Sequence, residues 1–271
     1  MKSLKKFAFE KPVLFSVILI LCSVGITFIP LNSFLFHSLN EQAAGYASGV
    51  VEQTLVSVLL IILLAKMQLL NQAGFRLKVK QLWIVWPMVL IAVLDALELF
   101  DGTVKIDTSS RSTIIMYILV YLSTGLFEET LCRGWVQTLF IQKWGNTKKG
   151  IYGSVILASL LFGMLHLIHF FMGQMTLLAS VTQVIYATFI GVFMGACVLR
   201  NESIIPTMIL HGLVDIAGSL NEIAVNGGIH KELMTISVSN AVESVALMSP
   251  LLIYGLFILR KTAGSERVQS E

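Results

Sequence analysis

Charge is scarce in this chain of 271 residues: Asp, Glu, Lys and Arg together make up 13% of it, about half of what a soluble globular domain carries. The net charge of +3 is small and scattered, which excludes a phosphate-binding face and, with it, nucleic acid as a partner. Cysteine is nearly absent. Cys22, Cys132 and Cys197 are an odd set with no CxxC spacing, so neither a disulfide framework nor a cysteine zinc site is expected, and each reads as a small buried hydrophobe. GxSxG and HExxH are missing, against a serine hydrolase and an ordinary zincin. There is no internal repeat, no low-complexity tract and no loop beyond about 20 residues, so function must reside in helices or at their ends.

What the chain has in abundance is apolar residues, at 56% of the total with a mean hydropathy of +0.82. They fall in runs long enough to span a bilayer, which needs about 20 residues per helix. The expected spans are 13–31, 47–69, 82–100, 113–142, 151–172, 178–199, 203–221 and 239–260. The reading is an all-α, polytopic membrane helix bundle of about eight spans, forming a single integral-membrane domain over 1–271. The fourth run exceeds one crossing, so it should tilt, kink or protrude. The first reads as an uncleaved signal anchor.

Lys and Arg fix the expected orientation. With the N-terminus inside, the inner segments hold 15 of the 19 basic residues, including Lys78 and Arg267. The outer loops hold Lys105, Arg111 and Lys231, and Arg133 lies within an apolar run. Both termini are expected in the cytosol, with the protein in a plasma membrane of bacterial type.

Ionisable residues inside spans are costly and mark function or buried pairing. They concentrate in three runs: Glu128, Glu129 and Arg133 in the fourth span, His166 and His169 in the fifth, and His211 and Asp215 in the seventh. Glu129 and Arg133 are four apart and can pair on one face, as can His211 and Asp215. Glu128 is turned by about 100° from Glu129 and is expected to face a different neighbour. Each cluster alone reads first as structural glue. Three together suit a polar chamber in which carboxylate and imidazole activate a water, directly or through a metal. Proton-coupled transport uses the same residue types, but matching halves with broken helices are missing. His37 and His230 fall in outer loops. Asp95 and Glu98 read as interfacial, Glu52 and Glu243 as residues with polar neighbours, and Pro206 as a first-turn proline.

Glu-Glu-x-x-x-Arg at 128–133, Phe-x-x-x-His at 162–166 and His-x-x-x-Asp at 211–215 resemble, in order and spacing, the CPBP family. These are the CAAX-protease and bacteriocin-processing (Abi) intramembrane proteases, which include the Ras-converting prenyl endopeptidase of eukaryotes. The resemblance covers about 113–221, the expected motif-bearing core. It implies an intramembrane endopeptidase with catalytic residues Glu128, Glu129, His166, His211 and Asp215. Glu128 is then the base or water ligand and His166 its partner, with Arg133 bracing Glu129 and Phe162 packing the helix of His166. His169 is supporting or merely buried. The third motif often has Asn where this chain has Asp215, and Asp lacks the N–H donors of an amide. Zinc held by Glu128, His166, His211 and Asp215 is the candidate cofactor, and a metal-free glutamate-activated water is the alternative.

The expected substrate is a membrane-associated peptide or protein in contact with the lipid bilayer, cut near the cytosolic side in peptide maturation, self-immunity or regulation. The rival is a non-proteolytic scaffold that regulates a partner such as a sensor kinase.

Overall fold

The computed structural model describes residues 2–262 apart from 78, 226 and 228–233. The expectations for Lys78, His230, Lys231 and Arg267 therefore lie outside the described residues. Most of the described residues are helical, with two isolated bridges, Ile106 to Ala224 and Met175 to Met234.

The chain begins with α1 (Lys2–Glu10) and α2 (Pro12–Ile26), which meet at 114°. Pro12 sits in the first turn of α2, where its missing N–H costs nothing. Lys2, Lys5 and Lys6 on α1 alternate with apolar Leu4, Phe7 and Ala8, the composition of a helix that lies along a membrane surface. A four-residue turn, α3 (Asn32–Leu35), leads to α4 (Glu41–Lys66). Then come α5 (Trp86–Ala96), α6 (Arg111–Glu129) and α7 (Thr138–Trp144), with a π-helical stretch, Thr130–Gln137, between the last two. The remainder is α8 (Lys148–Leu165), α9 (Ile168–Phe171), α10 (Leu177–Asn201), α11 (Ile205–Gly218) and α12 (Val238–Thr262).

Among the described residues, 6 helical segments are long and apolar enough to cross a bilayer. They coincide with the expected second, third, fourth, fifth, sixth and eighth spans. The other two are shorter than expected. The first run forms α2, which stops at Ile26, and the α1–α2 pair, bent before Pro12, can supply a seventh crossing. The seventh run forms α11, whose 14 residues extend about 21 Å, because its continuation tightens into a 3₁₀ turn at Leu220–Ile223. Pro206 does stand in the first turn of α11.

Helix faces turned outward carry Leu55, Leu59 and Ile62 on α4, Val89 and Val93 on α5, and Ile253 and Phe257 on α12, all exposed. A girdle of this kind requires lipid around it, and the chain is a multi-pass integral membrane protein. Cys22 belongs to this outer surface and Cys132 and Cys197 to the interior, so the expectation of three buried thiols is corrected for Cys22.

The bundle sorts charge to its two ends. At one end Lys5 Nζ donates to the Met67 carbonyl at 2.8 Å. Glu202 binds Lys80 at 2.7 Å and Arg76 at 3.7 Å, and Arg200 Nε donates to Gln81 Oε1 at 2.9 Å. The basic ends of α4, α7, α10 and α12 lie here. At the opposite end Gln42 Nε2 donates to the Glu222 carbonyl at 2.7 Å, and Tyr46 O–H to Glu222 Oε2 at 2.7 Å. Asn40 Nδ2 donates to Ser110 Oγ at 2.9 Å. Hydrogen bonds from Thr103 and Ser109 hold Asp101 and Asp107 below the ordinary carboxylate value, so both are ionised at neutral pH.

Candidate active site

Three helices bring the polar clusters together, and two glycines allow it. A Cβ added to Gly125 of α6 would lie 2.7 Å from the Gly212 amide nitrogen. One added to Gly212 of α11 would lie 2.8 Å from the Tyr121 carbonyl oxygen and 3.0 Å from Leu122 Cα. Without side chains at these two positions the α6 and α11 backbones touch, the close approach that small residues permit inside membranes. The contact lies one turn from Glu128 and Glu129 on one helix and next to His211 on the other.

Beyond Glu129 the helix widens into the π stretch, which releases the regular i→i−4 ladder; such segments are rare and recur at functional sites. Thr138 Oγ1 donates to the freed Arg133 carbonyl at 3.1 Å. Trp135 Nε1 donates to the Leu60 carbonyl and Gln137 Nε2 to the Gly195 carbonyl, both at 3.1 Å, so the stretch is fastened to α4 and α10.

His211 is the hub. Its Nδ1 faces Glu129 Oε1 at 3.0 Å, while its Nε2 faces Glu128 Oε2 at 3.4 Å and Asp215 Oδ2 at 3.7 Å. Glu129 Oε1 also accepts from Arg133 Nη1 at 2.6 Å. The expectation that Glu128 addresses a different neighbour is therefore corrected: both glutamates meet one imidazole, on its two nitrogens, because the ring stands between them. Burial separates their characters. The Glu129 side chain is 0% exposed and that of Arg133 2%, whereas Glu128 is 24% and Asp215 26% exposed. Glu129 is sealed in the protein, and Glu128 and Asp215 face open space.

Phe162 does more than pack its helix. The Arg133 guanidinium carbon lies 4.4 Å from its ring centroid. His166 and His211 both stand edge-on to the same ring, at 5.3 Å and 5.9 Å. Phe162 thus seats the cation of the first motif and the histidines of the other two. Nothing in the sequence beyond its position four residues before His166 points to this.

His166 follows the last residue of α8, and its Nδ1 lies 3.3 Å from the Phe162 carbonyl. Its ring borders two cavities. One, of about 400 Å³, is shared with His211, Asp215 and Phe162; the other, of about 170 Å³, is shared with Glu128 and His169. His169 turns aside, with Nδ1 2.7 Å from Gln174 Oε1 in an exposed position. A larger recess of about 650 Å³ lies among 102–105 and 221–227, but Lys105 is the one ionisable group on its described lining, so it offers no acid–base pair.

The 400 Å³ cavity extends past the cluster to Asp95, Gln183, Ser219 and Ser244, towards the acidic end of the bundle. The expectation from the sequence is a cavity that opens towards the cytosol or laterally to lipid; the lining places its far end at the acidic end of the bundle. Asp95, expected at an interface, is part of this lining. The third and last spans, which the motifs do not touch, furnish Met88, Ile91 and Met248 to it. Glu52 is buried and accepts from Ser48 Oγ at 2.6 Å, and Glu243 is exposed; neither joins the cluster.

Among the described residues no group of three His, Cys, Asp or Glu side chains is arranged to hold a metal ion. Nδ1 of His211 is engaged by Glu129 and Nδ1 of His166 by the Phe162 carbonyl, so the two Nε2 atoms, with Glu128 and Asp215, are the donors a zinc ion would take.

Comparisons with curated proteins and with solved structures found no match. Residues 110–217 match the family model described as type II CAAX prenyl endopeptidase, Rce1-like, which bears out the resemblance to the CAAX-protease family carried by the three motifs.

Proposed function

We propose that this protein is an intramembrane endopeptidase that hydrolyses a membrane-associated polypeptide by water attack, with Glu128 as general base. The observation that carries the reading is the convergence of Glu128, Glu129 and Asp215 on His211 beside a cavity of about 400 Å³. Of the two glutamates, the partly exposed Glu128 can reach a water, and the sealed Glu129 cannot.

With Nδ1 of His166 donating to the Phe162 carbonyl, its Nε2 is left to accept from the same water and hold it against the scissile carbonyl. The water oxygen bonds to the carbonyl carbon as Glu128 takes the proton. The carbonyl π electrons move to oxygen, and the Nε2–H of a doubly protonated His211 stabilises the oxyanion. That donor is not committed to either neighbour, since 3.4 Å and 3.7 Å exceed a close hydrogen bond. Glu128 then returns its proton to the amide nitrogen as the C–N bond breaks. Glu129, fixed by Arg133, holds the ring through Nδ1, and Asp215 supplies the negative charge that an Asn there would lack. No step passes through a metal.

The test is Glu128→Gln in the full chain with a membrane-embedded peptide substrate. Loss of cleavage by about 10²-fold or more, with normal abundance, is expected of a lost general base. Full function of the variant would favour a regulatory scaffold instead.

A further inference from the structure

The 400 Å³ cavity is lined at its far end by Asp95 near the end of α5, Gln183 in the second turn of α10, Ser219 just past α11 and Ser244 early in α12. These positions belong to one end of the bundle. The opposite ends of α10 and α12 carry Arg200 and Lys261, which line a separate cavity with Gln81. Basic residues gather where a membrane protein faces the cytosol. The cavity leading to His211 therefore lies at the other side of the bilayer.

We infer, building on the endopeptidase reading, that the substrate is a membrane-anchored polypeptide cut in the extracytoplasmic half of the bilayer, with a basic segment flanking the cut on the outer side. Sidedness comes from the opposed positions of the cavity and the basic helix ends. The basic flank comes from charge complementarity: Asp95 sits in the cavity itself, and at its end of the bundle Glu98, Asp101, Asp107 and Glu222 outnumber Lys105 and Arg111. An acidic rim draws a cationic segment and repels an anionic one. The apolar wall of Met88, Ile91 and Met248 suits the hydrophobic stretch that follows the cut into the membrane.

Two measurements test this on the full chain. In a Cys22→Ser background, whose remaining cysteines are buried, Ser219→Cys and Ser244→Cys are exposed to a membrane-impermeant maleimide. Labelling in intact cells and protection in inverted vesicles is expected, with Lys261→Cys behaving in reverse. Labelling of Ser219→Cys in inverted vesicles alone would overturn the sidedness. In the second measurement, single-span peptides carry the same candidate segment in the outer or inner half, flanked outside by Lys or by Glu. Cleavage of the outer-half, Lys-flanked peptide in preference to the others is expected. Preference for the inner-half peptide, or for the Glu flank, overturns the substrate assignment. No cleavage of any peptide by a chain that labels as expected counts against the endopeptidase reading and leaves the sidedness standing.

Discussion

Glu129 Oε1 lies 3.0 Å from Nδ1 of His211, although 82 residues separate the two in the chain. The same oxygen takes the Arg133 guanidinium at 2.6 Å. One carboxylate oxygen thus ties a buried cation to the imidazole at the centre of the cluster. Buried charges are tolerated only when paired in this way, and removing one partner strands the other. This predicts that the adjacent glutamates fail differently on amide replacement.

Glu128→Gln is expected to abolish turnover while the protein accumulates and melts normally, since Glu128 is partly open to water. Glu129→Gln leaves Arg133 uncompensated at a fully buried site, a loss of about 3–5 kcal/mol. Membrane abundance and thermal stability in detergent, measured beside activity, separate the two. Equal loss of abundance in both variants would contradict the assignment of Glu128 as the base.

Phe162→Leu removes the aromatic face under Arg133 and the edge contacts to His166 and His211. A partly desolvated cation–π contact contributes about 1–2 kcal/mol, so activity should fall by roughly ten-fold or more, and Phe162→Tyr should retain most of it. An unchanged Phe162→Leu enzyme would reduce this ring to packing.

His166→Ala is expected to lose activity far more than His169→Ala. His166 borders both cavities at the cluster, while His169 is engaged with Gln174 in an exposed position. Initial rates of the two variants at matched expression decide this.

Gly212→Val should separate α6 from α11 and dismantle the cluster, because even a Cβ meets the Tyr121 carbonyl and Leu122 backbone. Gly218→Ala on the same helix meets only Asp95 Oδ2, at 3.6 Å, and should be well tolerated. Folded yield after detergent extraction measures both.

Chelation is expected to leave activity intact, since in the proposed mechanism Glu128 activates the water without a metal. Activity lost to a chelator and restored by zinc would return the metal to the mechanism.

The amino-acid sequence by itself determined the membrane-spanning, all-α character, because apolar run length and the demand for internal backbone hydrogen bonding leave no other solution. It also determined the three motifs and the Glu129–Arg133 pair, because these are local: spacing on one helix suffices. It could not shorten the first and seventh spans, since the stop of α2 at Ile26 and the tightening after Gly218 are set by what those segments pack against. Tertiary structure alone decided that Glu128 and Glu129 converge on His211, that Phe162 seats Arg133 and both histidines, and that Asp95 belongs to a cavity rather than an interface. These relations join residues on separate helices. Their geometry depends on how closely two backbones approach at Gly125 and Gly212, and a one-dimensional pattern carries no distance between helices.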